Sequence, residues 1–343
     1  MKRFIMIGTG GFGKYWCSVL IDRIRPFAEM VAAVDVNEKA LLNPQKYCGL
    51  PADCCYTDPR KAMEEHPADF VVMVVPYTVR EPLVDLAIEF GLDIVCEKPI
   101  AGDMDTAVRI YRKVTAANRK LIVTMSHTYE VEKQTVKDLV ASGHYGKLNY
   151  LVNRLVMRYY GGALRDPWDL LIGGTVHNLD TVMRVAGAPA KTVFADCWNF
   201  APKEGMNPGQ SSMVQIVFEN GVRASIEGSF ANATELNKWS DEYLRAECSD
   251  ATIVADKRRV TLYSQKGYPF PEKAEIPLME QPLWDHAYLI KRFVDWVDGG
   301  PEAPTSVTDS LQVSALLFAA VESAKTGQAV DVQAFLKKHL DKV

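Results

Sequence analysis

Lys2-Arg3-Phe4-Ile5-Met6-Ile7-Gly8-Thr9-Gly10-Gly11-Phe12-Gly13 opens the chain with an apolar run that ends in glycines spaced G-x-G-x-x-G. Residues 4–7 read as a buried β-strand and 13–24 carry helical periodicity, so the glycines stand at a strand-to-helix turn. Each has a separate task there: Gly8 permits the tight turn, Gly10 lets backbone N–H groups approach a pyrophosphate, and Gly13 lets the helix pack closely on the strand. An ordinary glycine-rich turn is the competing reading. A second strand, 30–34, ends in Asp35, 22 residues after Gly13, close to the roughly 20 expected of an acid that accepts both adenosine ribose hydroxyls. A 2'-phosphate would meet like charge at Asp35, and no arginine directly follows it, so NAD is expected over NADP.

Outward from this turn, the first 125 residues alternate short apolar runs with amphipathic stretches, the pattern of βαβ units in a parallel sheet. Strands are expected over 4–7, 30–34, 70–75, 93–96 and 121–124, with helices near 13–24, 37–43, 58–65, 80–90 and 103–118. After a helix over 130–142 the texture becomes β-rich. Runs at 150–157, 192–199, 211–219, 222–229, 243–247, 252–255 and 259–263 predict an open, mostly antiparallel sheet. Asn220-Gly221 between two of them is a hairpin signal. Helices near 283–298 and 308–326, broken by Pro301-Glu302-Ala303-Pro304, and a tail helix at 331–341 close the chain, with a cap expected around Thr308-Asp309. The expected architecture is α/β: a Rossmann doubly wound parallel sheet over 1–125, and an α+β substrate and oligomerisation domain over 126–343 whose last helices are free to pack back on the first.

A chain of 343 residues has the material for two cores. Its 39 basic and 43 acidic residues give a formal net charge of -4 without long runs of either sign, which argues against nucleic acid or an anionic membrane as partner. The apolar N-terminal run is broken by glycines and reads as a strand, not a signal peptide. No stretch approaches the roughly 18 to 20 apolar residues of a membrane span. Seven cysteines lack a metal-type spacing and point to reduced thiols in the cytoplasm; no metal is expected.

Val95-Cys96-Glu97-Lys98-Pro99-Ile100 places a charged pair after a buried strand, where open α/β sheets bind ligands. Lys98 there can exchange a proton with a reacting hydroxyl or carbonyl; a surface charge is the alternative. Together, Gly8 to Gly13, Asp35 and Glu97-Lys98-Pro99 resemble the Gfo/Idh/MocA oxidoreductases, the group of glucose-fructose oxidoreductase and inositol dehydrogenase. Leu139 to Lys147 is similar to the family's turn into its C-terminal sheet, and Ser323 to Gln328 to its last long helix and exit.

The resemblance implies a nicotinamide-dependent enzyme acting on a secondary hydroxyl of a sugar, cyclitol or related polyol. It also implies an open sheet with the substrate on one face and an oligomer contact, dimer or tetramer, on the other. It makes Lys98 and His177 the expected catalytic pair, His177 standing in Gly173-Gly174-Thr175-Val176-His177-Asn178-Leu179-Asp180 with a titration range suited to both directions. The expected cofactor contacts are Gly8, Gly10, Gly11, Phe12, Gly13, Asp35, Pro76, Thr78, Glu97 and Lys98. A transient-oxidation lyase or glycosidase and a non-catalytic dinucleotide sensor are the alternatives.

Two positions depart from the family pattern. Many members carry an aspartate where this chain has Gly173, so Asp166, Asp169 or Asp180 takes its place, or Lys98 and His177 act alone. Asp180 is equally placed to pair with Arg184 four residues on. Arg80 replaces a histidine common in the family, and a surface charge is the favoured reading over a fixed cation near the ligand. For the substrate, His127, Arg158, Trp168 and Asp180 are the expected contacts. Arg154 and Arg158 are read as facing one way on a strand, with Tyr160, Trp168 and Trp239 completing an aromatic pocket; packing or solvated charge is the alternative for each.

Overall fold

A computed structural model describes residues 1–158, 166–201, 209–232, 234–265 and 271–343. The chain divides into two compact units, one of residues 1–125 with 283–311 and 343, the other of 126–282 with 312–342.

The first unit is built on six parallel strands: β1 (Lys2–Ile7), β2 (Ala28–Val34), β3 (Cys55–Tyr56), β4 (Phe70–Met73), β5 (Asp93–Cys96) and β6 (Leu121–Val123). Their order is β3-β2-β1-β4-β5-β6, so the winding reverses between β1 and β4. Residues 4–7, β4 and β5 are buried throughout, which a sheet covered on both faces demands. Phe70 stacks on Phe4 at 5.2 Å and meets Phe293 of the helix Asp285–Val297 edge-on at 5.3 Å, so that late segment covers the sheet of its own unit. Asp58 and Asp103 cap the helices Pro59–Glu65 and Met104–Ala116 by accepting from Arg60 N at 2.9 Å and Thr106 N at 2.8 Å. The cap expected near Thr308-Asp309 is Ser306: its hydroxyl accepts from Asp309 N, while the Asp309 carboxylate reaches back to Thr305 N.

The helix expected over 37–43 is displaced: residues 37–41 form turns, and helical backbone starts only at Leu42. Asp35 and Asn37 accept from Asn37 N and Lys39 N, and these side-chain bonds hold the segment in turns; the helical backbone runs on through Pro44–Cys48.

The second unit carries β7 (Leu148–Val156), β8 (Ala190–Phe200), β9 (Gly209–Phe218), β10 (Arg223–Ser229), β11 (Tyr243–Cys248), β12 (Ala251–Asp256), β13 (Arg259–Ser264), β14 (Glu272–Ile276) and β15 (Val330–Asp331) in one sheet, ordered β14-β13-β12-β11-β7-β10-β9-β8-β15. All pairs are antiparallel except β7 with β10. Asn220-Gly221 turns β9 into β10, with Gly221 at φ +86° and Phe218 N donating to Val222 O at 2.8 Å. β14 escapes a reading by apolar alternation because it is an exposed, charged edge strand. Along β7, Leu151, Asn153 and Leu155 are buried while Tyr150, Val152 and Arg154 are half-exposed. Asn153 is hydrogen-bonded by the Asn178 amide, which fixes the helix Val176–Ala186 on the buried face. Among the described residues no helix is long and apolar enough to cross a membrane, and the seven cysteines are free thiols.

Candidate active site

In the first unit the glycine turn follows β1 at the point where the strand order reverses, the place where open α/β sheets bind ligands. A Cβ on Gly8, whose φ is +93°, would lie 2.2 Å from Val74 O, and one on Gly13 would lie 2.2 Å from Gly8 O. Backbone crowding therefore requires both glycines. Gly10 differs: its nearest neighbours would be Ala40 Cβ at 3.5 Å and Asp35 Oδ2 at 3.7 Å, ordinary contacts. A Cβ would fit at Gly10, so the fold itself does not demand a glycine there, and the lack of a side chain suits the close approach of a pyrophosphate. Gly11 and Phe12 are exposed beside it, as are Pro76 and Thr78 in the loop after β4. Asp35, half-buried at the end of β2, accepts from Thr9 N at 2.7 Å and Gly10 N at 3.0 Å through one oxygen and from Asn37 N at 2.9 Å through the other. The acid and the glycine turn are thus one assembly, and the residues present fit a dinucleotide.

β5 ends in Glu97 and Lys98. Glu97 is buried and accepts from Trp16 Nε1 at 2.9 Å. His286 lies between two carboxylates, with Nδ1 2.7 Å from Asp285 and Nε2 3.4 Å from Glu97. Burial works against charge on both partners, yet they prevail together: Asp285 and Glu97 raise His286 to about 10, and His286 holds Glu97 below the usual carboxylate range. Lys98 is half-buried, and desolvation of its ammonium outweighs the attraction of Glu97; with the Arg80 cation adding to the desolvation, it is lowered to about 8. Arg80 is not a surface charge. It is 1% exposed, and its guanidinium donates to Val75 O at 3.0 Å and to Pro99 O, tying the loop after β4 to the loop after β5. No local motif marks His286, which follows Glu97 by 189 residues.

The second unit holds His177, in the first turn of Val176–Ala186 and 3% exposed. Its ring lies flat on His127, centroids 3.5 Å apart at 5°, and Trp239 stands edge-on to both at 5.8 and 5.3 Å. His127 Nδ1 is 2.5 Å from Glu242 Oε1, and the other Glu242 oxygen accepts from Lys133 Nζ. Burial would raise the Glu242 carboxyl, but Lys133 and His127 override it and hold it far below the usual range. Neither Lys133 nor Glu242 stood among the residues singled out from sequence.

The other expected contacts fall differently. Asp180 is fully buried and accepts from Thr128 Oγ1 at 2.6 Å and Arg184 Nε at 2.8 Å. Trp168 is half-buried with the Lys325 ammonium 4.7 Å over its ring. Arg158, exposed, lies beyond the end of β7 and bridges to Ala231 through the backbone. Arg154 packs its guanidinium over Tyr243 at 4.2 Å on the sheet face opposite the helix that bears His177, so it does not share a pocket with that histidine. Tyr160 lies outside the described residues. Gly173 is exposed, and a Cβ there would meet nothing within 4 Å.

Residues 2–125 match the family model GFO_IDH_MocA, described as an oxidoreductase family with an NAD-binding Rossmann fold, and residues 133–254 match the model of the GFO/IDH/MocA C-terminal domain. Protein y4oX of Sinorhizobium fredii is 35% identical, over 98% of this chain and 97% of its own. Inositol 2-dehydrogenase of Rubrobacter xylanophilus is 26% identical over 65% of this chain and 63% of its own. A crystal structure of an oxidoreductase from Agrobacterium radiobacter, in complex with NAD+, L-tartaric acid and magnesium, superposes with a TM-score of 0.81 at 20% identity, covering 97% of this chain and 99% of that one.

Proposed function

Because the chain belongs to the Gfo/Idh/MocA oxidoreductase family, we propose that it interconverts a secondary alcohol and a ketone on a sugar, cyclitol or related polyol, with NAD as the hydride carrier. The observation that carries this reading is Lys98: a lysine lowered to about 8 at the end of β5 both gives and takes a proton near neutral pH. Bound nicotinamide would accept or donate the hydride at the substrate carbon. Lys98 and His177 handle the hydroxyl proton, taking it up in oxidation and returning it in reduction. Glu97, neutralised by His286, and Arg80, clamped on two carbonyls, hold the lysine's segment in place. Asp35 supports NAD over NADP, since a 2'-phosphate brought to the end of β2 would meet its carboxylate. The inositol 2-dehydrogenase relative supports a cyclitol or sugar substrate.

We also propose that the open face of the nine-stranded sheet pairs with a second copy. Phe194, Trp198 and Met213 are 40%, 39% and 53% exposed on that face, with Met213 opposite Asp196 in register.

The test is nicotinamide absorbance with NAD or NADP against a panel of sugars, cyclitols and sugar acids. Turnover by the wild type, reduced roughly 100- to 10,000-fold in Lys98→Ala and His177→Ala with NAD binding retained, is expected. Bound NAD with no turnover on any member of the panel overturns the dehydrogenase reading.

A further inference from the structure

We propose that Glu242 and His127 are positioning residues for His177: Glu242, pinned by Lys133, fixes the ring of His127, and that ring fixes the plane and proton placement of His177. The proposal rests on the oxidoreductase reading above and supplies a carboxylate to a site where Gly173 has none.

The four side chains form one chain of contacts within the second unit. Lys133 is 0% exposed, His127 2%, His177 3% and Glu242 3%. Folding alone gives little reason for such a group, because taking a lysine and a glutamate out of water costs about what their attraction returns, and apolar side chains of similar volume serve stability as well. Apolar side chains cannot, however, place a proton on an imidazole. With Glu242 Oε1 2.5 Å from Nδ1 of His127, the carboxylate keeps a proton on that nitrogen. The second Glu242 oxygen is committed to Lys133, which also donates to Ser240 O at 3.1 Å, so the carboxylate has no freedom to turn away.

The consequence for His177 follows from the stacking. At 3.5 Å and 5° the two imidazoles are in full face-to-face contact, and rotation of His177 about its ring bond would drive its edge into His127. Trp239 stands at 88° to one ring and 89° to the other. Two imidazolium rings in this contact would repel strongly. The pair therefore carries one positive charge at most; Glu242 places it on His127, and His177 is left as the neutral base that oxidation of an alcohol requires. None of these three partners touches the reacting atoms in this scheme; they act through His177.

Glu242→Gln alone strands the Lys133 ammonium in the core, so the informative variant is the double Lys133→Met/Glu242→Gln, with His127→Phe beside it to keep a flat ring without nitrogens. In the full-length protein, imidazole nitrogen–proton NMR is expected to show a strongly downfield Nδ1 proton on His127, lost in the double variant, and His177 ring-nitrogen shifts that move in both variants. With a polyol substrate, kcat is expected to fall roughly tenfold or more in both while KM and NADH affinity hold within about threefold. Unchanged His177 shifts, or a kcat within about twofold of wild type in a folded double variant, overturns the proposal. A wild type that binds NADH but turns over no polyol sinks the enzyme reading instead, and the His177 shifts still decide this one.

Discussion

Lys98 owes its range to desolvation at the end of β5, which outweighs the pull of the adjacent Glu97, and to the buried Arg80 guanidinium; Glu97's own charge is answered by the distant His286. The His286 pair has a testable pH signature. Its folded value, about 10, lies above the ordinary 6.5, so its contribution to stability is complete below about 6.5 and is lost as the pH rises through about 10. Glu97 is shifted the other way and contributes above its ordinary range, a contribution lost on acidification. His286→Gln should therefore cost roughly 3–5 kcal/mol at pH 7, the usual effect of breaking a buried pair, with the difference from wild type shrinking toward pH 10. Denaturant titrations at several pH values read this, and equal stabilities at pH 7 would show that the ion pair contributes nothing. Asp35→Ala should narrow the preference for NAD over NADP by removing the charge that a 2'-phosphate would meet, as measured by the ratio of the two dissociation constants. An unchanged ratio would place the discrimination elsewhere.

At the scale of elements, the glycine turn separates what the fold requires from what a ligand requires. Gly8→Ala should fail to fold normally or lose several kcal/mol, because its Cβ would sit 2.2 Å from a carbonyl oxygen at a φ that L side chains avoid. Gly10→Ala meets only ordinary contacts, so it should keep its melting temperature while NADH affinity falls, and calorimetry beside a fluorescence titration distinguishes the two. The same logic applies at the β9–β10 hairpin. Gly221→Val puts a β-branched residue at φ +86° and should cost more than about 1 kcal/mol without touching kcat. Strand parity explains why the expected arginine pair came apart. Alternation along β7 sends Arg154 to the open face while Asn153 faces the helix of His177, and β7 ends before Arg158.

For the whole molecule, a ligand that binds only the folded chain stabilises it by mass action: NADH at about a hundred times its dissociation constant should add about 2.7 kcal/mol. Hydrogen exchange should locate that protection in β1, the glycine turn and the end of β2; protection confined to the second unit would contradict the assignment of the dinucleotide. What the linear sequence determined by itself was local and periodic. The apolar runs, the glycine spacing and the Asn220-Gly221 turn depend on residues a few positions apart, where backbone sterics and side-chain period act, and Asp35 on its place at the end of the next strand. The parallel sheet and the antiparallel second sheet were legible for this reason, whereas Lys98 and His177 were singled out as a pair only through the resemblance to a family. Only the tertiary structure decided which distant charges meet. His286 joins Glu97 across 189 residues, Glu242 joins His127 across 115, and Arg80 turns inward to two carbonyls instead of toward water. Such pairings answer to desolvation, which is a property of the closed core: a buried charge must find a partner there, and no spacing along the chain records which one it finds.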